Sequence, residues 1–398
     1  MRLFSLLVFV LATVTMTSTQ PSSKQTFAPH PTLPFSGAVK AGGLVYIAGM
    51  IGPASGPIAK GDIKGQTKQT LDNIAATLKT AGSSLANAVS VTVYLRNAAD
   101  FQAMNEVYRT YWSKDPPVRT TVVVTQPLAN ADGLIEISMV AVPDGGERVV
   151  VHPSDWIKSP NPYSYGIKTG NTLFLAGLVS RNGKDNSIVK GDITAQTKTV
   201  LDNGAAILKE AGMSFADVVS SRIFLTDETT FQAMNAAYRT YFPTMPPARA
   251  TVKAGLTSPD YVVEITMVAV KDPSRTAITT PNADGSAGTP NPNLSSAIRV
   301  GNRLYVAGML GNTPTNKGDV KAQTVETLAR IGRTLKAAGF EWSHVIDGVV
   351  YLTDITKFQD MNAGYRDVFT KDFPARATVG TGLMGADGLV EIMFTAVK

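Results

Sequence analysis

The feature that most constrains this chain is a short sequence that occurs three times at domain-length spacing. It reads PPVRTTV at 116–122, PPARATV at 246–252 and PARATV at 374–379. Each copy places one arginine at the start of an apolar, strand-like run, and these are Arg119, Arg249 and Arg376. The arginines are 130 residues (249 − 119) and 127 residues (376 − 249) apart. Because such a period is the length of a whole domain, we predict three copies of one module.

The three modules share one predicted order of elements. Each begins with two strands joined by a glycine-containing turn, then has a loop and an amphipathic helix. A third strand, a second helix and two final strands complete it. This β-β-α-β-α-β-β order predicts an α+β fold, in which a mixed sheet carries both helices on one face. The predicted domains are 27–143, 154–271 and 285–398. Residues from about 20 to 32 read as a leader, and residues 143–154 and 272–292 read as linkers.

The two helices of each module have recognisable signals. In the first module, Asp62 is the predicted N-cap of the first helix, which ends at Ala-Gly as in the other copies. The second helix carries Phe101, Met104 and Tyr108 at helical spacing. Such a stripe is typical of a packed core, so we interpret it as core rather than as a cofactor site.

Composition excludes several kinds of site. The 398 residues contain no cysteine, which excludes disulfides, thiol nucleophiles and thiolate metal ligands. The three histidines are far apart and lack metal-ligand spacing, so no metal is expected. The net charge of +6 is spread along the chain without a basic run. This charge tolerates anionic ligands but does not indicate a nucleic-acid partner.

The first nineteen residues read as an export signal. Arg2 supplies a positive start, residues 3–14 are apolar, and residues 15–20 form a small, polar cleavage region. About twelve apolar residues are too few to span a bilayer of about 30 Å. We therefore expect a signal peptide at 1–19 and a periplasmic or extracellular protein with no membrane contact after cleavage. A short buried N-terminal helix is the alternative.

Candidate site residues recur at equivalent positions in the three modules. Each repeated arginine presents a planar pair of donors that suits a carboxylate. The last strand of each module carries a glutamate among apolar residues, where desolvation raises the pKa of a carboxyl toward that of a useful base. An asparagine lies on the second helix beside its apolar stripe. The glutamates are Glu136, Glu264 and Glu391, and the asparagines are Asn105, Asn235 and Asn362.

Arginine and glutamate together can hold a carboxylate-bearing substrate and position a water; the alternative is a partly buried, structural ion pair. In the second module the two strands are predicted to form a hairpin with its turn near Pro259, so that Glu264 pairs with about Ala254. Ala254 is five residues from Arg249, about 16 Å along a strand. We therefore expect each arginine to meet a glutamate from another module, in a pocket on a seam.

Taken in order, these motifs resemble the Rid family, also called RidA, YjgF or endoribonuclease L-PSP. The matching stretches are Phe35-Ser36 and Tyr163-Ser164, the AGM or AGL that ends the second strand, QTKxxLDN, FQAMNxxY, PARATV and the closing VEI. The resemblance implies a fold like that of chorismate mutase. It also implies trimers of single-domain members, with three ligand pockets between subunits. Three tandem domains are therefore expected to pack as an intramolecular pseudo-trimer, with the chain a monomer.

The same resemblance implies an activity: hydrolysis of 2-imino or enamine acids, such as 2-iminopropanoate and 2-iminobutanoate, to 2-keto acids and ammonium, without cofactor or metal. The arginines would hold the substrate carboxylate, and the glutamates would orient the attacking water. Substrate contacts are also expected from the asparagines, an opening aromatic residue, a strand-ending glycine and a threonine. These further positions are Phe35 and Tyr163; Gly49, Gly177 and Gly308; and Thr121, Thr251 and Thr378.

The chain departs from the family pattern at several positions, which bears on the identity of the substrate. Leu294 takes the opening aromatic place in the third module, alanine replaces the serine of deaminases at 48, 176 and 307, and the three threonines stand where cysteine is common.

Two functional classes remain: an imine deaminase with up to three seam pockets, and a non-catalytic exported binder of small carboxylates. The weak charge disfavours ribonuclease activity, and so does the lack of a basic–aromatic platform.

Overall fold

The computed structural model describes residues 24–398, so the expected signal peptide at 1–19 lies outside the described residues. Among the described residues, no helix has the length and apolar character needed to cross a membrane. The chain folds into three α+β modules, as predicted. The first has strands β1 (Gln25–Pro29), β2 (Ser36–Ala41), β3 (Leu44–Met50), β4 (Ala88–Leu95), β5 (Val118–Val123) and β6 (Ile135–Ala141), and helices α1 (Ile63–Thr80) and α2 (Phe101–Tyr111).

The second and third modules repeat this plan. The second has β7 (Val149–Val151), β8 (Gly166–Thr169), β9 (Thr172–Leu175), β10 (Val218–Leu225), β11 (Ala248–Lys253) and β12 (Val263–Val270), with α3 (Ile193–Glu210) and α4 (Phe231–Arg239). The third has β13 (Thr276–Ile278), β14 (Ala297–Val300), β15 (Arg303–Leu310), β16 (Val345–Leu352), β17 (Ala375–Gly380) and β18 (Val390–Val397), with α5 (Val320–Ala337) and α6 (Phe358–Tyr365).

Each module has one more strand than predicted. β1, β7 and β13 pair antiparallel with β2, β8 and β14, although they lie in segments that were expected to be leader or linker. Phe27, Val151 and Ile278 anchor these strands by packing against the hydrophobic cores. The prediction is wrong here because three to five residues are too few to show an alternating pattern.

The first helix of each module forms as its signals predict. The Asp62 side chain accepts a hydrogen bond from the Gly65 N–H at 2.9 Å, which caps the start of α1. Gly82, with a φ of 70°, follows the end of the helix, where a left-handed conformation favours glycine. Leu71 and Ile74 lie on the buried face of α1. The helix therefore packs one apolar stripe against its sheet.

The arginine and glutamate strands do not form the predicted hairpin. In the second module β10 lies between them, parallel to β11 and antiparallel to β12. Arg249 is opposite Ser221 of β10, whereas Glu264 is opposite Phe224. Paired residues share a face of the sheet and faces alternate along a strand, so Arg249 and Glu264 point to opposite faces. They cannot meet within one module, for a reason that differs from the one predicted.

Repeated hydrogen bonds join the modules into a closed ring. The serine at or just before the second strand of each module donates its backbone N–H to a proline carbonyl of the preceding module: Ser164 to Pro117 at 3.2 Å, Ser295 to Pro247 at 3.2 Å, and Ser36 to Pro374 at 3.0 Å. The three serine hydroxyls donate to the residues just before those prolines, at 2.6–2.7 Å. Because the third module closes back onto the first, the chain is an intramolecular pseudo-trimer, as predicted.

The sheets of all three modules face a common centre. A small cavity of about 110 Å³ is lined there by residues of β4, β10 and β16, among others. Arg222 faces it and donates to Thr92 Oγ1 at 2.9 Å, and burial raises the pKa of nearby Asp347 to about 6. The candidate arginines and glutamates do not line this cavity. They lie at the seams instead.

Candidate functional site

The structure places each arginine across a seam from the glutamate of the next module in the ring. Arg119 and Glu264 define site A, Arg249 and Glu391 define site B, and Arg376 and Glu136 define site C. In site A the backbone N–H of Thr121 donates to Glu264 Oε1 at 3.1 Å. The backbones of Thr251 and Thr378 make the equivalent contact with Glu391 and Glu136. The arginine and glutamate of one module thus belong to two different sites.

Aromatic rings of the second helix hold each guanidinium in place. The Arg119 Cζ atom lies 4.7 Å from the Tyr108 ring centroid and 5.7 Å from that of Phe101. The equivalent rings lie 4.9 and 5.9 Å from Arg249, and 4.7 and 5.7 Å from Arg376. The aromatic stripe is therefore partly core, as interpreted from the sequence, and partly a cation–π wall of the site.

The second-helix asparagines orient the arginines in two of the three sites. The Nη2 atom of Arg249 donates to Asn235 Oδ1 at 2.7 Å, and Arg376 Nη2 donates to Asn362 Oδ1 at the same distance. In site A the amide nitrogen of Asn105 turns instead toward Asn161 Oδ1 at 3.5 Å. In sites B and C these amides hold the guanidinium through Oδ1, and their expected contact with substrate stays a prediction.

Each site contains buried donors with no hydrogen-bond partner. They include Arg119 Nη1, the Nε and Nη1 atoms of Arg249, Arg376 Nε, and the hydroxyls of Thr121, Thr251 and Thr378. No acid lies within 4.0 Å of the three arginines in the described part of the chain, so the structural ion pair is not formed. Unpaired buried donors are rare and costly, and together these form a cradle for an anion.

The opposing carboxyls have strongly shifted pKa values. Burial raises the pKa of Glu136, Glu264 and Glu391 to about 8 each, although a backbone N–H and an arginine partly offset the shift. Burial also lowers the pKa of Arg376 to about 10, which leaves it protonated at neutral pH. Each site therefore combines a fixed cation with a carboxyl that both gives and takes a proton near neutral pH. In the described part of the chain, no group of three metal-binding side chains lies together.

These carboxyls predict a pH-dependent stability. Between about pH 5 and 8 they stay protonated in the folded protein but ionise when it unfolds, so the free energy of unfolding falls as pH rises. Each fully responding carboxyl contributes about 1.4 kcal/mol per pH unit. Urea unfolding at several pH values should show this slope, and the triple variant Glu136→Gln, Glu264→Gln, Glu391→Gln should flatten it. An unchanged slope in that variant would contradict the assignment.

The strand-ending glycines make room for the glutamates. A Cβ atom at Gly177 would lie 2.0 Å from Glu264 Oε1 and 2.9 Å from the Thr120 Cα atom. At Gly49 and Gly308 the equivalent distances to the glutamate oxygen are 1.8 and 1.9 Å. The Gly177 N–H also donates to the Arg119 carbonyl at 3.1 Å. These glycines were expected to contact substrate, and the structure places them against the carboxyl and the seam.

The structure adds positioning residues that the sequence interpretation missed. Gln66, in the first turn of α1, donates from Nε2 to the Asp132 carbonyl at 2.8 Å and accepts from the Leu134 N–H at 2.7 Å. Glu136 follows two residues later. Gln196 and Gln323 make the same pair of bonds in the other modules. The sequence signal was a glutamine at the same position of the first helix in all three copies, on the face of the helix that is buried.

The opening residue differs from site to site. The Tyr163 ring centroid lies 5.9 Å from Arg119 Cζ in site A, and that of Phe35 lies 5.7 Å from Arg376 Cζ in site C. In the third module the equivalent position is Leu294, which packs on a hydrophobic cluster at the seam. Site B therefore has no aromatic ring at this position.

Comparison with known proteins agrees with this architecture. A RutC family protein of Pyrococcus horikoshii is 48% identical over 116 residues, which are 29% of this chain and 90% of that protein. One of Sulfurisphaera tokodaii is 43% identical over 114 residues, 29% of this chain and 91% of that protein. A crystal structure of a chorismatase has a similar fold, with a TM-score of 0.53 over 87% of this chain and 97% of that one, at 13% identity.

The family assignment rests on three successive matches. The family described as Endoribonuclease L-PSP matches residues 25–143, 154–271 and 286–398. Together these ranges include every helix of the three modules and every strand except β7 and β13. The chain therefore belongs to the endoribonuclease L-PSP (YjgF/RidA) family, with three tandem family domains.

Proposed function

We propose that the seam sites hydrolyse reactive 2-imino or enamine acids to 2-keto acids and ammonium. The observation that carries this proposal is the set of buried, unpartnered arginine and threonine donors opposite a carboxyl whose pKa is about 8. Membership of a family known for imine and enamine deaminases supports the same reaction. The expected signal peptide would place the activity in the periplasm or outside the cell.

The arginine is the group that binds the substrate carboxylate. Its guanidinium is buried between aromatic rings, which fix its plane, and its free donors have no protein acceptor. A carboxylate satisfies two such donors at once and cancels a buried charge. The neighbouring threonine hydroxyl offers a further hydrogen bond. This binding leaves the C2 atom and its imine nitrogen directed toward the glutamate side of the seam.

The glutamate can carry each proton of the hydrolysis. Protonated in the free site, it gives its proton to the neutral imine nitrogen, which makes C2 electrophilic. The resulting carboxylate then takes a proton from water as the water oxygen bonds to C2, giving a carbinolamine. The same carboxyl returns that proton to the amino group. The C–N bond breaks as the hydroxyl gives its proton back to the carboxylate and becomes the keto oxygen, and ammonia leaves and takes up a proton from solvent.

The second candidate is a binder of small carboxylates, since the same arginine cradle would bind a 2-keto acid without reaction. Ammonium release separates the two. When imino acid is generated in situ by an amino acid oxidase, the wild-type protein should accelerate ammonium formation well above the spontaneous rate, while heat-inactivated protein should not. Saturable binding of pyruvate without any acceleration would favour the binder.

A further inference from the structure

Sites A and C differ in the space that adjoins them. Site C, with Arg376 and Glu136, opens into a cavity of about 680 Å³ that is also lined by Phe35 and Gly49. Beside site A the equivalent residues Tyr163 and Gly177 line a cavity of only about 20 Å³, which Arg119 and Glu264 do not line. A volume of 680 Å³ accommodates the large side chain of a metabolite, whereas the 20 Å³ beside site A leaves no room for such a side chain.

One position accounts for much of this difference. Gly37, which directly follows the seam serine Ser36, lines the site C cavity. Tyr165 follows Ser164 at the equivalent position and lines the cavity beside site A. Trp156 packs edge-on against Tyr165, with ring centroids 5.0 Å apart. The second module thus fills this space with two aromatic rings, whereas the first module leaves it open.

The segment that leads into the opening residue explains where Trp156 comes from. In the first module Phe35 is six positions after Pro29, the end of β1 (35 − 29). In the second module Tyr163 is ten positions after the equivalent Pro153 (163 − 153). The longer segment carries Trp156, whose ring lies against Gly183, where an added Cβ would come within 2.2 Å of it. The short segment of the first module provides no such cover.

Site B is altered by a different means. Asn73 and Ala76 of α1 line the site C cavity. Their equivalents in α5 are Arg330 and Arg333, at the same offset of 257 residues as the helix starts (320 − 63). Arg330 Nη1 donates to the Leu310 carbonyl at 2.8 Å, and Arg333 Nε donates to the Pro281 carbonyl at 3.0 Å. In site B, two long cationic side chains therefore replace the small side chains that form this wall in site C.

We propose that the chain divides its substrates by size: site C takes 2-imino acids with a large apolar side chain, and site A takes only small ones. This inference rests on the proposed function and names its substrate classes. The walls of the site C cavity include Leu33, Phe35, Ile51 and Phe358, which suit a branched or aromatic side chain. Trp156 and Tyr165 are the residues that restrict site A.

Chains with a single arginine isolate each site. The C-only chain carries Arg119→Ala and Arg249→Ala, and the A-only chain carries Arg249→Ala and Arg376→Ala. Each is assayed with imino acids generated in situ from leucine and from alanine, and the ratio of the two kcat/KM values is compared. We expect this ratio to be at least about tenfold higher in the C-only chain, since even one methylene changes such ratios about tenfold or more.

Trp156→Ala supplies the matched control. In the A-only chain it should raise the leucine-to-alanine ratio, and in the C-only chain it should leave that ratio unchanged, since Trp156 does not line site C. Trp156 lies on a partly exposed loop, so the variant is expected to fold. Equal ratios in the A-only and C-only chains would overturn the inference. So would a Trp156→Ala effect of the same size in both.

Calorimetry with the products gives a readout that does not depend on catalysis. The A-only chain should bind pyruvate but bind 4-methyl-2-oxopentanoate at least about tenfold more weakly, while the C-only chain should bind both. If neither chain hydrolyses imino acids but this preference is measured, the proposed function fails and the size division stands. If hydrolysis occurs and both keto acids bind alike to both chains, the size division fails and the function stands.

Discussion

A chain in which Arg119, Arg249 and Arg376 are all alanine is expected to hydrolyse imino acids about 10³-fold more slowly than the wild type. The substrate carboxylate would then enter a buried seam with no cation to pair with it. Removing one partner from such a buried pair typically costs about 3–5 kcal/mol. Any chain that keeps one of the three arginines should retain part of the activity, because each arginine belongs to a separate site. Ammonium release from imino acid generated in situ measures the loss.

The corresponding triple lysine variant should recover only a small part of the rate. An ammonium keeps the charge but cannot make the two parallel hydrogen bonds of a guanidinium or lie flat between two rings. Arg239→Ala, at an exposed position on the surface of α4, is the matched control and should behave as wild type. Thermal melts of all variants separate a lost site from a lost fold. Wild-type turnover in a folded triple alanine chain would contradict the arginine role.

Much of the architecture could be predicted because three copies repeat the same signals. The period gave the module count, and the repeated arginine and glutamate marked residues that the structure brings together at the seams. The pairing between modules was expected from distance along a hairpin, but its true cause is the insertion of β10 between β11 and β12. Because β10 precedes both strands in the chain, the sequence of the segment between β11 and β12 does not show that β10 lies between them.

Other features depend on contacts that no single segment encodes. The glycines were interpreted only as substrate contacts, but Gly177 is also required because Glu264, 87 residues later (264 − 177), lies where a side chain at Gly177 would be. Similarly, Gly37 and Tyr165 occupy equivalent positions in two modules. The effect of this one substitution on cavity size depends on the loop that carries Trp156, which packs against Tyr165. Repetition in sequence identified the sites but not the differences among them.

The second large effect concerns which glutamate serves which arginine. In a chain with Arg119→Ala and Arg249→Ala, Arg376 is the one remaining site arginine. The structure pairs it with Glu136, 240 residues away (376 − 136), and not with Glu391, which is 15 residues away in the same module (391 − 376). Since a positioned general acid–base contributes about 10²–10⁴-fold, Glu136→Gln in this background should remove at least about 99% of the remaining activity. Glu391→Gln should leave it within about twofold.

The comparison of these two variants tests most directly the claim that every site is shared between modules. Both are neutral, nearly isosteric changes at equivalent positions, so differences in folding are small and can be checked by thermal melts. We expect kcat/KM of the Arg119→Ala, Arg249→Ala chain to fall at least about 100-fold with Glu136→Gln and to stay within about twofold with Glu391→Gln. The reverse pattern, with Glu391→Gln abolishing turnover and Glu136→Gln preserving it, would show that each module holds its own complete site and would contradict the account.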